Sequence, residues 1–187
     1  MISFDIETCG VESKAVILSV GCVKFDLDLK DREPDPNKAF QFLLNNSFFV
    51  ALDVREQKAK GRTIESDTMD WWKQQAELPR KKSLNVSNRT PVLEGLSGIA
   101  EYCKGETVIW QRGTLDQVLY DSLCKQYEVS PIVNFNQWMD FRTAIYLLKD
   151  TARNGYCKVP DFDTYQVVKH DPVHDAALDV IQLVYGE

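Results

Sequence analysis

The pattern of hydrophobic and polar positions predicts three strands near the start of the chain. Residues 2–6 form a short apolar segment, residues 15–27 are rich in β-branched side chains, and residues 39–44 form a third apolar run. Residues of these types favour strands. A polar connection with Asp and Pro at 30–37 separates the last two runs. Connections this short predict an antiparallel meander.

After residue 60 the pattern changes to an alternation of helices and strands. Ser66 is suited to cap a helix that carries Trp71 and Trp72, and Pro91 suits the first turn of a helix that runs to Cys103. Further strands are predicted at 107–110 and 132–135, and further helices at 114–127, 141–149 and 175–185. This order predicts an α/β fold with a mixed five-stranded sheet and helices on both faces.

Composition narrows the class of protein. A chain of 187 residues with 44% hydrophobic content predicts a single domain, 1–187. Five cysteines without a CxxC pair exclude a disulfide framework and a zinc ribbon. Without a secretion signal or an apolar run long enough to span a bilayer, the chain is predicted to be cytoplasmic and to have no membrane partner.

A net charge of −6 disfavours binding of nucleic acid by bulk electrostatics, although cations in a local site would reverse the field there.

Candidate chemistry begins on the first predicted strand. Asp5 and Glu7 are two positions apart, so they share one face of the strand, about 6.6 Å from each other along it, while Phe4 and Ile6 take the other face. An exposed acidic strand face is the alternative interpretation. A strand that opens an α/β sheet is usually central, however, where paired carboxylates are costly unless they bind a cation. Carboxylate oxygens are the ligands that hard cations prefer.

A second acidic segment lies near the end of the chain, and both histidines belong to it. His174 precedes Asp179 by five positions, and on a regular helix the two would not share a face. We therefore expect His174 in the loop before the last helix. Asp171 and Asp175 are interpreted as charges in the first turn that interact favourably with the helix dipole.

A third carboxylate, Asp116, follows a predicted strand and a turn at Arg112-Gly113. Taken in order, Phe4-Asp5-Ile6-Glu7-Thr8, then Asp116, then His174 with Asp179 resemble the three exonuclease motifs of the DEDDh superfamily. Within it, nearly the whole chain is similar to the group of phage exonuclease A and related bacterial 3′-5′ exoribonucleases, through residues 66–72, 110–113, 140–143 and 170–179. Many members have His-Asn where this chain has Arg112-Gly113, so only Asp116 is carried over from that motif.

The resemblance implies an RNase H-like fold and a 3′-5′ exonuclease that releases nucleoside monophosphates from a free 3′ end of DNA or RNA, with a single strand as the expected substrate. It implies two Mg²⁺ or Mn²⁺ ions held by Asp5, Glu7, Asp116 and Asp179, with Asp5 bridging them. His174 is assigned the role of general base, because a neutral imidazole is available at pH 7, and His170 is held in reserve.

Substrate contacts are predicted for aromatic and basic residues. Trp72 and Trp110 are candidates for stacking on bases, and of the adjacent Trp71 and Trp72 one is expected in the core. Arg112 and Arg142 are candidate phosphate contacts, with an ion pair to a carboxylate as the alternative for each.

Two other functions fit the same residues. An RNase H-like metal-dependent endonuclease would use a similar carboxylate set but would cut circular substrates. A non-catalytic nucleic-acid-binding module is disfavoured because the carboxylates and the histidine are all present. Related exonucleases often form dimers, so a homodimer is a further prediction.

Overall fold

The computed structural model describes residues 1–149, 151 and 155–187. These residues form a five-stranded sheet in the order β3-β2-β1-β4-β5. Its strands are β1 (Ile2–Thr8), β2 (Ile17–Lys24), β3 (Ser47–Ala51), β4 (Ile109–Gln111) and β5 (Trp138–Asp140). The β1–β2 and β2–β3 pairs are antiparallel, whereas the β1–β4 and β4–β5 pairs are parallel. The mixed sheet with a central β1 confirms the predicted architecture.

Helices connect the strands and cover both faces of the sheet. They are α1 (Leu29–Arg32), α2 (Pro36–Asn45), α3 (Val54–Ala59), α4 (Ser66–Gln74), α5 (Glu77–Pro79), α6 (Val92–Tyr102), α7 (Leu115–Gln126), α8 (Phe141–Leu148) and α9 (Pro172–Tyr185). A π-helical turn, Arg80–Leu84, follows α5, and 3₁₀ turns lie at Phe135–Gln137 and Thr164–Gln166.

The alternation along β1 separates the two halves of the core. Phe4 and Ile6 belong to the cluster that the sheet forms with α6 and α7. The opposite face of the sheet packs on α2, α8 and α9. On that face the hydroxyl of Ser3 donates to the carbonyl of Ala176 in α9, at 2.7 Å. Residues 5 and 7 share this face with residue 3, so the carboxylates of β1 are directed toward the last helix.

The prediction of a strand at 39–44 is wrong, because those residues belong to α2. The carboxylate of Asp35 accepts hydrogen bonds from the N–H groups of Asn37 and Lys38, and Pro36 occupies the first helical position. The buried residues of the helix follow a period of 3.6 residues; they are Pro36, Ala39, Phe40 and Leu43. A helix with a capped start and this period competes successfully against the local strand preference of the apolar run.

Smaller differences concern the ends of elements. The strand predicted at 132–135 is not formed there; β5 begins at Trp138, six residues after the predicted start. Ile132 and Val133 pack at the margin of the core. The strand predicted at 15–27 is shortened to β2. The last helix begins at Pro172 rather than at residue 175, so His174 lies within α9 and not in the loop before it.

The strand order and the helix layers make this an RNase H-like α/β fold. Within the described ranges, every helix is too short or too polar to cross a lipid bilayer.

Candidate active site

The carboxylates of β1 lie where the sheet opens next to α9. β1 pairs with β4 only through residues 2 and 3, so Asp5 and Glu7 extend past the end of β4. Gly21 lies directly opposite Asp5 on β2. A Cβ at residue 21 would overlap the backbone of Pro172 and Val173. The glycine therefore lets the start of α9 approach the sheet beside Asp5.

A sharp turn between β4 and α7 brings in the third carboxylate. Gly113 has a φ of +83°, a left-handed conformation that glycine adopts without strain. Its N–H donates to Oδ1 of Asp140 at 2.8 Å, which ties the turn to the end of β5. Asp116 follows in the first turn of α7 and is buried. Burial, and next the charge of Asp116, raise the pKa of Asp5 well above its usual value, which indicates that the two carboxyl groups are close.

The first turn of α9 contributes a fourth carboxylate, Asp175, and the loop before the helix contributes a histidine, His170. Asp171 caps the helix by accepting the N–H of Val173 at 3.0 Å. Oδ2 of Asp175 accepts the backbone N–H of His170 at 2.8 Å. His170 has a φ of +63°, a conformation that costs energy for a residue with a side chain. Potential ligand atoms of Glu7, His170 and Asp175 all lie within 4.8 Å of one another.

These side chains surround a cavity of about 430 Å³. Its wall is formed by β1, the β4–α7 turn, the segment before α9 and α9 itself. The charged and polar side chains that line it are Asp5, Glu7, Arg112, Tyr156, Lys169, His170, Asp175 and Asp179.

The carboxyl groups of the cavity are poorly compensated by the protein. Burial raises the pKa of Glu7, and the charges of Asp175 and Asp116 raise it further. Burial likewise raises the pKa of Asp116. For Asp175 burial raises the pKa to about 7, although the N–H of His170 opposes the shift. Buried carboxylates that repel one another suit hard divalent cations, which prefer oxygen ligands. The donor set thus fits Mg²⁺ or Mn²⁺.

Asp179 lines the same cavity, but its charge is already paired. Arg112 Nε donates to Asp179 Oδ1 at 2.8 Å, and the two side chains are only 11% and 10% exposed. Arg112 also donates to the carbonyl of Gly155 and to Oε1 of Gln182, and its guanidinium lies 4.1 Å from the ring centre of Tyr156. Of the two predictions for Arg112, the ion pair to a carboxylate is the one that the geometry supports.

His174 does not line the cavity, and its Nε2 lies 3.9 Å from Oδ2 of Asp171. Its Nδ1 accepts the backbone N–H of Val168 at 3.2 Å, and its ring lies edge-on to Phe40, with centroids 5.6 Å apart. Beside it, Lys82 and Asp171 form an ion pair of 2.5 Å. The expectation that His174 joins the site is therefore corrected. Among the described residues, the histidine that lines the cavity is His170.

The sequence contains a signal for this alternative that the spacing argument missed. His170 precedes Asp175 by five positions, as His174 precedes Asp179, so the two pairs have the same spacing. Asp171-Pro172 is a helix-start pattern, a capping carboxylate followed by proline at the first helical position. A helix that starts there places His170 in the preceding loop, where the spacing argument requires the histidine.

The predicted stacking residues are not brought to the cavity. Trp72 is fully buried, with its indole N–H donating to the carbonyl of Thr8 at 2.8 Å, so the stacking prediction for Trp72 is corrected. Trp110 packs on Phe141, with ring centroids 5.1 Å apart, in the core between the sheet and α8. Trp71 is the exposed member of the tryptophan pair, and its ring lies 4.7 Å from that of His170.

Arg142 lies at the rim of the site. It is exposed in the first turn of α8, which Asp140 caps. Its guanidinium lies next to Gly113. Burial raises the pKa of Asp179, and the charges of Arg112 and, to a smaller extent, Arg142 oppose that rise. Arg142 thus remains a candidate phosphate contact.

Comparison with known proteins agrees with this chemistry. Across 97% of its length the chain is 23% identical to an exodeoxyribonuclease of Enterobacteria phage T4, and the match covers 86% of that protein. A family described as the 3′-5′ exoribonuclease Rv2179c-like domain matches residues 1–184. Both names denote exonucleases, a class of phosphodiester hydrolases. The match covers nearly the whole chain, which therefore belongs to the Rv2179c-like family of 3′-5′ exoribonuclease domains.

Proposed function

We propose that the chain is a single-domain, metal-dependent 3′-5′ exonuclease of the DEDDh type that removes nucleoside monophosphates from single-stranded nucleic acid. The observation that carries this proposal is a cavity lined by Asp5, Glu7, Asp175 and His170, in a member of an exonuclease family. The buried Asp116 is close enough to Asp5 for its charge to raise the pKa of Asp5, after the larger effect of burial.

In this proposal the four carboxylates would hold two Mg²⁺ or Mn²⁺ ions. Asp5 would be shared between the two ions, which is supported by its position among the other carboxylates: after burial, the charges of Asp116, Asp175 and Glu7 raise its pKa. Bound cations would supply neutralisation of the phosphate charge and a lower pKa for a water molecule. The protein contributes a frame fixed by the sheet on one side and by α9 on the other.

His170 accepts the proton of the attacking water. Burial, and next the charge of Lys169, lower the pKa of His170, so its imidazole is neutral and able to accept a proton at pH 7. Its position is fixed from two directions, because its N–H is bound by Asp175 and its ring contacts Trp71.

In this proposal Asp179 pairs with Arg112 and does not bind a metal ion. With Asp179 as its partner, Arg112 binds the carbonyl of Gly155 and the ring of Tyr156, and this places Tyr156 at the wall of the cavity. Asp179 is thus a positioning residue in this proposal.

End-labelled DNA and RNA oligomers, single- and double-stranded, test the proposal when they are incubated with Mg²⁺, Mn²⁺ or EDTA. We expect stepwise shortening from the 3′ end that depends on the metal, and survival of a closed single-stranded circle. Linear products from the circle would support the endonuclease instead. Binding without cleavage in any metal would support the non-catalytic module.

The proposal includes a cytoplasmic location, which is supported by five free thiols that suit a reducing compartment. A homodimer stays a prediction for sedimentation measurements.

A further inference from the structure

A second depression continues from the acidic cavity past His170. The two share Lys169 and His170 as a common wall. The second depression has a volume of about 500 Å³. One side is formed by the end of α4 and by α5, including Leu78, and the other by the 3₁₀ turn with Tyr165. We call this second depression the outer groove.

The outer groove presents apolar side chains to solvent. Tyr165 is 98% exposed and Leu78 is 65% exposed, on opposite sides of the groove. Single exposed apolar side chains are ordinary on protein surfaces, but here two of them flank a depression that opens beside the acidic cavity. Tyr165 thus offers an aromatic face on which no other ring of the described residues is stacked.

The turn that carries Tyr165 is well anchored. Asp163 accepts the N–H of Tyr165 at 2.9 Å, and Asp163 in turn donates its own N–H to Oδ1 of Asn37 in α2, at 2.8 Å. Gln166 donates to the same Asn37 oxygen at 2.8 Å. A ring on a fixed backbone loses little conformational freedom when a ligand stacks on it, because the turn is already ordered.

Charge at the junction of the two depressions favours a phosphate. The acidic cavity carries several carboxylates and the protein has a net charge of −6, so it repels a polyanion over most of its surface. Lys169 is exposed and lines both depressions. It supplies a positive charge at the point where a strand leaving the cavity would pass.

We propose that the outer groove binds the part of a single-stranded substrate on the 5′ side of the scissile phosphate, with a base stacked on Tyr165 and a phosphate beside Lys169. The proposal rests on the proposed exonuclease function and adds a subsite to it. Stacking on a tyrosine is tolerant of base identity, so the subsite contributes to affinity for a strand without selecting a sequence. A strand within a duplex cannot offer a free base face in this way.

Binding without turnover tests the subsite directly. Fluorescence anisotropy of a 5′-labelled single-stranded ten-mer is measured with Asp5→Asn protein in Mg²⁺, with and without Tyr165→Ala. Loss of a stacked base should raise Kd by about 5-fold to 100-fold. Tyr165→Phe keeps the ring and should retain most of the affinity. Phe135→Ala is the matched control, because Phe135 is a ring that is 82% exposed and is not among the residues that line the acidic cavity or the outer groove.

Substrate length and abasic sites locate the contact. In otherwise wild-type protein, Tyr165→Ala should raise KM for the ten-mer about tenfold more than KM for a dinucleotide. An abasic nucleotide walked along the ten-mer should weaken binding at one position, and Tyr165→Ala should remove that position's penalty. Leu78→Ala, on the facing side, should produce a smaller loss with the same length dependence.

Equal affinities of Tyr165→Ala and Phe135→Ala for the ten-mer would overturn the subsite, and so would a loss that is the same for dinucleotide and ten-mer. Either result alongside an active wild-type enzyme rejects the outer groove alone. A wild-type protein without nuclease activity rejects the proposed function instead.

Discussion

The first two turns of α9 carry acidic residues of similar kind in opposite circumstances. Asp175, in the first turn, is surrounded by carboxylates, and its protein partner is the N–H of His170. Asp179, one turn later, lies against the guanidinium of Arg112. Both line the same cavity. In the proposed function a metal ion neutralises Asp175, whereas the charge of Asp179 is already paired with Arg112.

The histidines that precede these residues differ in the same way. His170 sits on strained backbone at the cavity, with its N–H bound to Asp175. The Nδ1 atom of His174 accepts a hydrogen bond from the N–H of Val168, and the ring packs against Phe40. A residue that completes a packed structure has little freedom to act on a ligand, while a strained residue beside uncompensated charge is characteristic of functional sites. The pairs His170/Asp175 and His174/Asp179 have the same spacing, and they differ in how far their side chains are already satisfied by partners in the protein.

The largest expected effect is on nuclease activity, and it tests the difference between Asp175 and Asp179. Asp175→Asn should reduce nuclease activity well beyond the ~10- to 100-fold that loss of a supporting residue costs, because a neutral amide cannot replace an anionic ligand. Asp179→Asn should remain within that range. Initial rates on a single-stranded oligomer at saturating Mn²⁺ compare the two variants.

Asp5→Asn is the matched reference, since it removes a ligand in either assignment. If Asp179→Asn is as damaging as Asp5→Asn while Asp175→Asn keeps most of the activity, Asp179 is the metal ligand and Asp175 is the supporting residue, the reverse of the proposed assignment.

The next effect concerns the histidines. His170→Ala should lower kcat by about 10²- to 10⁴-fold, the range for loss of a general base, and should remove the acidic limb of the pH profile. His174→Ala should stay below that range, because the contacts it loses are structural: the hydrogen bond from Val168 and the packing on Phe40. His174→Asn can offer an oxygen to that N–H and should recover part of the loss. A pH profile of His174→Ala without its acidic limb would reverse the two roles.

Much of the fold could be predicted because its signals are local. The β1 alternation, the helix around Pro91 and the turn at Gly113 each follow from side-chain period or backbone preference. The strand predicted at 39–44 failed because a β-rich apolar run can also fit a helical period, and the cap at Asp35 decided between them. The three-residue β5 gives too short a pattern to locate from sequence.

Part of the candidate site could be predicted from the sequence, because some of its residues are placed by the order of the elements. Asp5, Glu7 and Asp116 follow from strand faces and chain order, and the structure brings them together. Choosing between Asp175 and Asp179 required the position of Arg112, which lies far away in the sequence. Trp72 and Trp110 were equally ambiguous, because a tryptophan pattern does not distinguish core packing from a binding surface.

The smallest expected effect is on stability. Burial raises the pKa of both aspartates, but Arg112 opposes the rise at Asp179, so we expect the two Asp→Asn substitutions to change Tm in opposite directions. Burial raises the pKa of Asp175 from 3.8 to about 7, so the folded protein holds a proton that the unfolded chain releases above pH 3.8. The resulting stability is fully present below pH 3.8 and is lost as the pH rises through about 7. Without metal, the Tm of the wild type should therefore fall between pH 5 and pH 8.

Differential scanning fluorimetry in EDTA measures this dependence. Asp175→Asn should flatten it and give an equal or higher Tm at pH 8, because the amide relieves repulsion and still accepts the N–H of His170. Asp179→Asn deprives Arg112 of a charged partner, a loss of roughly 1.5–3 kcal/mol, and each kcal/mol lowers Tm by about 2–4 °C. Mg²⁺ is expected to raise the Tm of both the wild type and Asp179→Asn at pH 8, and to have little effect on Asp175→Asn. A Tm for Asp179→Asn that matches or exceeds the wild type in EDTA would mean that Arg112 does not compensate this carboxylate, and the distinction between the two turns of α9 would be lost.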